Sequence, residues 1–307
     1  MSAAEVGNFI HYVLEKAVDR AKATADFAAH SAKAQRELVE EIAAEYRLRL
    51  GDPTPRTDAL LRRLTALARL VIAGLFAELA DGDFSPAFLE LDISTIGKRP
   101  SVQIGDITIP LSGKIDRVDF WQAPDGRSYL RVTDYKTGTK EFSMKDIQQG
   151  FSMQMLIYLM ALCRGQYPEL AARLDLPEGT VFHPAGISYL SSNVGTELTA
   201  GRRSAEDALR DASDRLAHSG LTLNDPEVMR AISRSQSERV LGNEKKRLSQ
   251  VGFEEAFNEL SATICRIVGE MKSGDATAEP HAGSGGSSPC NYCGFAPVCR
   301  KAEKSSF

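Results

Sequence analysis

The hydrophobic pattern of the chain changes near residue 84, and this change narrows the folds that the chain can adopt. Before that point apolar residues recur at helical spacing, as in "TDALLRRLTALARLVIAGLFAEL". From residue 84 to residue 136 the chain consists of short, β-rich stretches separated by Gly, Pro and Asp turns. A helical stretch, "SMKDIQQGFSMQMLIYLMALCRG", and a further strand, "VFHPAGISYLS", follow. This order predicts a mixed α/β core.

We expect residues 1–307 to form one decorated domain. Its predicted parts are a helical N-terminal part (1–83), a mixed-sheet core (84–200), a helical part (201–272) and a tail (273–307). The tail begins with "SGDATAEPHAGSGGSSP", whose composition is that of a flexible linker. It leads to a group of cysteines.

Composition excludes several classes of protein. With 43% hydrophobic and 25% charged residues, the chain can bury a large core. A net charge of -4 argues against a generally basic surface that coats nucleic acid, so any DNA contact must be focused. No apolar run approaches the roughly 18 residues of a membrane span, and no signal-peptide core precedes the first helix. We therefore expect a cytoplasmic protein.

The stretch "VTDYKTGTK" places an acid and a base, Asp134 and Lys136, two positions apart after a predicted strand. Residues i and i+2 of a strand project to the same face, so the two charges share one pocket. The turn "APDGR" predicts a hairpin that brings Asp116 onto the adjacent strand. Two carboxylates and a lysine suit Mg²⁺ and phosphodiester hydrolysis. The alternative, from these residues alone, is an exposed ion pair at a strand edge.

Three motifs in order, "GKIDRVD", "DYKTG" and "QMLIY", resemble the PD-(D/E)xK nuclease superfamily and, within it, the RecB/AddB-type nuclease domain. The resemblance implies a restriction-endonuclease-like core, a central mixed β-sheet flanked by helices, with helical additions at both ends. It implies that Asp116 and Asp134 bind metal and that Lys136 is catalytic. Gln154 and Tyr158 match the Q-x-x-x-Y signature, whose spacing puts both on one helix face.

The N-terminal stretch "GNFIHYVLE" resembles the G-x-x-x-H helix of the same family, which implies that His11 is a third metal ligand. Glu90, in "FLELDI", matches an acidic position upstream of the core and could complete the acidic face. Imidazole with carboxylates would suit Mn²⁺ as well as Mg²⁺. The remaining polar candidates are interpreted as structural or exposed: Asp119, His30, His183, His218 and His281.

Near the C-terminus, "CNYCGFAPVC" spaces Cys290, Cys293 and Cys299 as ligands of one centre. Chemistry alone leaves a zinc site and an iron-sulfur site open, and both normally take four protein ligands. The family resemblance implies a [4Fe-4S] cluster whose fourth cysteine precedes the histidine helix, and no cysteine stands there in this chain. We therefore expect an excised portion of a longer protein, in which the cluster is absent or damaged. Cys163 and Cys265 fit core packing.

As a whole, the resemblance implies a metal-dependent DNA exonuclease domain of a helicase-nuclease that processes double-strand breaks for recombination. It would act on single-stranded DNA ends beside an AddA-like helicase partner. Two alternatives remain: a non-catalytic DNA-binding or scaffolding module of the same fold, and a stand-alone or CRISPR-associated nuclease. The chain contains no G-x4-G-K-[ST] motif, so ATP hydrolysis would belong to another segment or partner.

Overall fold

The computed structural model describes residues 3–23, 27–97, 100–136, 138, 141–165, 167–191, 218–275, 277, 280 and 288–299. Three helices precede five consecutive strands, and further helices and strands follow. The helices are α1 Ala3–Lys22, α2 Ala32–Arg49, α3 Pro55–Asp81, α4 Met144–Gln148, α5 Gln154–Arg164, α6 Pro168–Ala172, α7 Pro226–Ile232, α8 Glu238–Leu241, α9 Gln250–Ser273 and α10 Ala296–Cys299. The strands are β1 Ser85–Asp92, β2 Ser101–Ile104, β3 Ile107–Pro110, β4 Lys114–Gln122, β5 Ser128–Lys136, β6 Phe182–Ser191, β7 His218–Leu223 and β8 Arg247–Leu248.

A six-stranded sheet forms the centre of the fold, in the order β1-β4-β5-β6-β7-β8. β5 pairs in parallel with β6 and β7 in parallel with β8, whereas the other neighbours are antiparallel. β2 and β3 form a separate hairpin. The connection from β5 to β6 carries α4, α5 and α6, as a parallel pair requires a crossover. The predicted fold class, a central mixed sheet flanked by helices, is confirmed.

Two hydrophobic layers cover the sheet. The N-terminal helices α1, α2 and α3 build one layer, and Tyr135 of β5 and Leu190 of β6 pack into it from the sheet. The central helices α4 and α5, together with α9, build the other layer against the apolar side chains of β4, β5 and β6. β5 is therefore buried on both faces, which explains why its burial is continuous rather than alternating.

Two predictions about secondary structure are wrong in part. The stretch predicted as one helix, residues 143–165, is two helices, because Gly150 (φ 85°) and Ser152 (φ 54°) break the helical backbone between α4 and α5. The part predicted as helical, residues 201–272, contains β7 and β8; residues 201–217 lie outside the described part of the chain. β7 satisfies the backbone groups on the outer side of β6, a tertiary requirement that local pattern does not reveal.

No helix in the described residues is both long and apolar enough to cross a bilayer.

Beneath the sheet, on the side of α3, lies a cluster of buried charges. Arg117 is fully buried and its Nε lies 2.8 Å from Asp119 Oδ1. Glu78 of α3 lies 3.2 Å from Arg131 Nη1 and 3.7 Å from Arg117 Nη2. Two carboxylates thus face two guanidinium groups, which balances charges that burial would otherwise make very costly. The structural interpretation of Asp119 agrees with this placement.

His218 closes the cluster from β7. Its Nε2 donates a hydrogen bond to Glu78 Oε2 (2.6 Å), and its Nδ1 contacts the Ser188 hydroxyl. Burial opposes the charged forms of both Glu78 and His218. By itself burial would raise the pKa of Glu78, but the charges of His218, Arg131 and Arg117 have the larger combined effect and lower that pKa. Burial lowers the pKa of His218. The Ser188–His218–Glu78 chain is sealed, since the His218 and Glu78 side chains are 3% and 4% exposed, and it serves to bind α3 to the sheet.

We predict that Glu78→Gln destabilises the chain by about 3–5 kcal/mol at pH 7, because two buried guanidinium groups lose half of their counter-charge. The folded-state pKa of Glu78 lies below its unfolded value. The Glu78 carboxylate therefore adds to the free energy of unfolding of the wild type above about pH 4.3, and this contribution is lost as pH falls through the folded-state pKa. Urea unfolding at pH 7 measures the first effect, and a series of unfolding curves from pH 7 down to about pH 2 measures the second. The matched control is Glu270→Gln, which removes an exposed pair with Arg266 and should cost roughly 0.3–0.5 kcal/mol. Equal losses in the two variants would contradict the prediction.

Candidate metal and catalytic site

His11 lies on the inward face of α1, at the end of the sheet where β1, β4 and β5 meet. The helix is fixed there by its apolar stripe, in which Phe9, Ile10, Val13 and Leu14 are buried. The His11 Nε2 atom lies 2.9 Å from the carbonyl oxygen of Tyr135. Its Nδ1 atom lies 3.5 Å from Asp116 Oδ2. The motif GNFIHYVLE thus places an imidazole beside a carboxylate that is 105 positions away in the chain.

The contact with Tyr135 determines which nitrogen of His11 can bind a metal. A carbonyl oxygen accepts hydrogen bonds and cannot donate them, so Nε2 must carry a proton. In the neutral imidazole the lone pair then lies on Nδ1, which faces Asp116. Metal-binding histidines commonly donate their second ring N–H to a backbone carbonyl in this way. His11 is therefore oriented as a ligand would be.

Asp116 comes from β4 and its carboxylate is held by the backbone of the neighbouring strand. Oδ2 accepts a hydrogen bond of 2.7 Å from the Tyr135 N–H. The β4–β5 register, in which Arg117 pairs with Thr133, continues to put Asp116 opposite Asp134. The side chain is 13% exposed, so it is largely shielded and still open toward the end of the sheet. The adjacency of the two aspartates, predicted from the hairpin, is confirmed.

Glu90 lies at a kink in β1. Its φ is 47°, an uncommon backbone conformation for a residue other than glycine. Leu89 packs into the N-terminal layer and Leu91 into the opposite layer, although residues two apart in a regular strand share a face. At Glu90 the kink therefore switches the face of the sheet to which the side chains of β1 point. The Glu90 side chain lies close to His11 and Asp116. Backbone strain of this kind concentrates at functional sites.

Together, His11, Glu90 and Asp116 form a group of donors: one ligand atom from each lies within 4.8 Å of the others. Donors that bind one cation at about 2.0–2.6 Å lie no more than about 4–5 Å apart, so this spacing is compatible with a single ion. Among the residues that the structure describes, no other three His, Cys, Asp or Glu side chains meet this distance.

Asp134 and Lys136 project to the same face of β5, as their spacing predicts. Lys136 Nζ lies 2.6 Å from Asp134 Oδ2, and the Lys136 and Asp134 side chains are 34% and 12% exposed. Burial, and to a smaller extent the negative charge of nearby Asp116, raises the pKa of Asp134, while Lys136 opposes both effects. Asp134 is thus largely buried and Lys136 is one-third exposed, and β5, which carries them, is a central strand rather than an edge of the sheet.

The charges of the site favour the binding of a cation. The hydrogen bond that the protonated His11 ring donates to Asp116, together with the charges of Asp116 and Glu90, raises the pKa of His11 despite burial. Burial and then the negative charge of Asp116 raise the pKa of Glu90. A carboxylate whose protonation is favoured by a neighbouring negative charge is stabilised when a divalent ion replaces the proton.

Gln154 and Tyr158 lie together on α5, as the Q-x-x-x-Y spacing predicts. Gln154 Nε2 donates a hydrogen bond of 3.0 Å to Tyr158 Oη. The Tyr158 hydroxyl also lies over the backbone of Gly113, directly before β4, where a Cβ would come within 2.6 Å of it. Gly113 has φ 123°, a conformation that other residues rarely adopt. The α5 pair is therefore packed against the start of the strand that carries Asp116.

The cysteines of the tail do not form a metal centre in the described residues. Cys290 precedes Cys293 in a short turn and Cys299 ends α10, but their thiols are not within 4.8 Å of one another as a group. Cys293 and Cys299 are exposed. Three separated thiols do not fit a four-thiolate cluster. Cys163 and Cys265 pack against the core, as predicted.

Sequence reasoning missed two residues of the site. Strand alternation turns the Tyr135 side chain away from Asp134 and Lys136, but its peptide groups contact both His11 and Asp116. Gly113 was not singled out, although its position next to the "KID" strand is the signal that could have identified it. His281 lies outside the described residues.

Comparison with known proteins gives a consistent result. The model of the PD-(D/E)XK nuclease superfamily matches residues 1–300. The B subunit of the ATP-dependent helicase/deoxyribonuclease of Alkaliphilus oremlandii is 27% identical over 278 residues, which are 86% of this chain and 23% of that protein. The protein of the same name from Clostridium botulinum strain Hall is 32% identical over 236 residues, 71% of this chain and 20% of that protein. That of Symbiobacterium thermophilum is 28% identical over 276 residues, 86% and 23% of the two chains.

The chain spans about a quarter of the length of these curated relatives. The superfamily match covers nearly all of it, and the central mixed sheet flanked by helices is the fold that the resemblance implied. The chain belongs to the PD-(D/E)XK nuclease superfamily, as a nuclease domain of the AddB type.

Proposed function

We propose that the chain is a Mg²⁺- or Mn²⁺-dependent deoxyribonuclease that hydrolyses single-stranded DNA from its ends. The observation that carries this proposal is the convergence of His11, Glu90 and Asp116 beside the Asp134–Lys136 pair. In a non-catalytic module of the same fold, nothing would compensate for the strained backbone at Glu90 or for the repulsion between carboxylates that lie close together. The family supports nuclease chemistry in general; the metal and the exonuclease mode are part of the proposal.

The donor set fits a divalent ion. His11 Nδ1 and the carboxylates of Asp116 and Glu90 would hold it, with Asp134 as an additional carboxylate at the same end of the sheet. One nitrogen and several oxygen donors suit Mn²⁺, and Mg²⁺ accepts a site with carboxylates, waters and phosphate oxygens. When bound, the ion supplies Lewis-acid stabilisation of the charge that develops on the scissile phosphate.

Lys136 is the proposed catalytic residue. Its Nζ is held 2.6 Å from Asp134 Oδ2, so its position is fixed before the substrate arrives. An ammonium group at this point can donate a hydrogen bond to the attacking water or to a non-bridging oxygen of the phosphate. Asp134 keeps this group oriented. Water then adds across a P–O bond, and the leaving oxygen takes up a proton.

Gln154 and Tyr158 are proposed to support the site from α5. The Tyr158 hydroxyl against Gly113 fixes the start of β4, and the Gln154 amide fixes that hydroxyl. Gln154 is exposed, so its amide can also contact DNA.

The wider role follows from the relatives and stays a proposal. Their shared name is that of one component of an ATP-dependent helicase/deoxyribonuclease, which favours a second, AddA-like helicase component as the partner. We propose that the domain acts in the cytoplasm within such a helicase-nuclease, in double-strand break repair and recombination. The [4Fe-4S] cluster implied by the family resemblance also stays a prediction; because the three thiols do not fit it, it has no part in this mechanism.

We predict that Asp134→Ala and Lys136→Ala each reduce degradation of single-stranded DNA in Mg²⁺ or Mn²⁺ by at least about 10²–10³-fold, because each removes a charged group from the reacting phosphate's surroundings. Release of short fragments from an end-labelled oligonucleotide measures the rate. Circular dichroism and thermal unfolding show whether the fold is kept.

The controls are Asp52→Ala and Lys33→Ala, which remove the same charge types from exposed positions at the N-terminal helices. They should retain wild-type activity. A wild-type chain without metal-dependent activity, or full activity in the two site variants, would contradict the catalytic assignment and favour a non-catalytic module.

The exonuclease mode makes a separate prediction. A linear single-stranded substrate should be degraded, whereas a covalently closed single-stranded circle of the same sequence should resist, since it presents no end. Gel analysis of both substrates over one time course measures the ratio of rates. Cutting of the circle as fast as the linear strand would establish an endonuclease and remove this part of the proposal.

A further inference from the structure

We propose that Lys114 binds a phosphate group of the DNA strand, next to the scissile phosphate at the candidate metal site. This inference rests on the proposed function, because it concerns how the substrate of that same site is held. Lys114 is the second residue of the motif "GKIDRVD" and lies two positions before Asp116. It is a substrate-binding residue and takes no part in the hydrolysis itself.

The pairing of β4 with β5 places Lys114 beside Lys136. Arg117 pairs with Thr133 in antiparallel register. β4 begins at Lys114, and β5 ends at Lys136. Continuing the register by three residues therefore sets the two lysines opposite each other, just as it sets the two aspartates of the site opposite each other. Because alternate residues of a strand share a face, a row of two carboxylates is followed, toward the end of the sheet, by a row of two ammonium groups.

Each of these ammonium groups is drawn to a carboxylate of the site. Lys136 Nζ lies 2.6 Å from Asp134 Oδ2. Lys114 Nζ lies 3.9 Å from Glu90 Oε2. Like charges opposite each other on neighbouring strands are unfavourable, and the two carboxylates offset this repulsion. Once the carboxylates bind a cation, an anion that contacts both ammonium groups takes over the compensation, and the backbone of a DNA strand supplies such anions at regular intervals.

The start of β4, from which the Lys114 side chain extends, is fixed on two sides. The Ile93 N–H donates a hydrogen bond of 3.0 Å to the carbonyl oxygen of Gly113, the residue directly before Lys114. On the other side, the Tyr158 hydroxyl packs so closely on Gly113 that a Cβ there would lie 2.6 Å from it. The origin of the Lys114 side chain is therefore held in place before a substrate arrives.

The charged end of Lys114 is open to solvent. Its side chain is 60% exposed, and the contact with Glu90 is long. Asp92, which pairs with Lys114 from β1, accepts hydrogen bonds from the N–H and the hydroxyl of Ser94 at 2.9 and 2.7 Å. Exposed ion pairs such as that of Lys114 with Glu90 add little to stability. An ammonium group on a flexible stem is a point charge that suits phosphate oxygens, so this lysine has the properties of a substrate contact.

The test measures the binding of a fluorescein-labelled oligothymidylate by fluorescence anisotropy in Ca²⁺, with a gel to verify that the strand stays intact. Lys114→Gln should weaken binding about eightfold at about 50 mM KCl and about threefold at about 200 mM, because each phosphate contact on a single strand releases about 0.7 counterion. The slope of the logarithm of affinity against the logarithm of salt concentration should become smaller by about 0.7. Lys114→Arg keeps the charge and should keep the wild-type slope.

Lys33→Gln is the matched control. Lys33 is also exposed, and its Nζ lies 3.8 Å from a carboxylate oxygen, Glu37 Oε1. On α2 it lies about 20 Å along the helix axis from Tyr46, which packs on Phe9 near the site. This variant should bind the oligonucleotide as wild type does. Equal losses in Lys33→Gln and Lys114→Gln would show a general effect of net charge and would overturn the inference.

Mn²⁺ affinity separates a phosphate contact from an indirect effect through Glu90. Electron paramagnetic resonance of unbound Mn²⁺ gives the dissociation constants in the absence of DNA. Lys114→Gln should bind Mn²⁺ at least as tightly as wild type, because it removes a positive charge beside a proposed ligand. Weaker Mn²⁺ binding in Lys114→Gln, or an unchanged salt slope for the oligonucleotide, would overturn this inference and leave the metal site intact. A wild type that does not bind Mn²⁺ would overturn the proposed function and this inference with it.

Discussion

The pairing of β4 with β5 is the interaction on which the candidate site depends. It sets Asp116 opposite Asp134 and lets the Tyr135 N–H donate to the Asp116 carboxylate. A shift of one residue in this register would turn every side chain of one strand to the other face. Continuous burial of β5 makes such a shift costly, since it would exchange a charged cluster for an apolar layer. Packing along the length of β5 thus fixes the positions of the site residues at the end of the sheet.

The two faces of the same strands carry charges of different kinds. On one face, Arg117 and Arg131 are balanced by Glu78 and Asp119, so the buried cluster is closed and needs no ligand. At the end of the sheet, Glu90 and Asp116 meet His11, and the raised pKa values of His11 and Glu90 indicate an excess of negative charge. The first arrangement holds α3 and β7 on the sheet. The second is open to a cation and to solvent.

Sequence alone predicted the mixed fold and the shared face of Asp134 and Lys136, because strand alternation and hairpin geometry act over a few residues. It placed Asp134 with Lys136 from spacing, whereas the role of His11 required the family resemblance. The buried charge cluster was not predictable, since Glu78 and Arg131 look like surface residues until the tertiary fold encloses them. The same limit explains β7, whose strand conformation depends on the exposed side of β6, and the kink at Glu90, which no local signal indicates.

The most direct measurement is a crystal structure of the chain grown with Mn²⁺, in which anomalous scattering locates the ion. We expect a single strong peak at about 2.0–2.3 Å from His11 Nδ1 and from an oxygen of Asp116, with Glu90 or Asp134 completing the protein ligands. A peak at the cysteines of the tail, or no peak between His11 and Asp116 at saturating Mn²⁺, would contradict the assignment of this site as the metal centre of a nuclease.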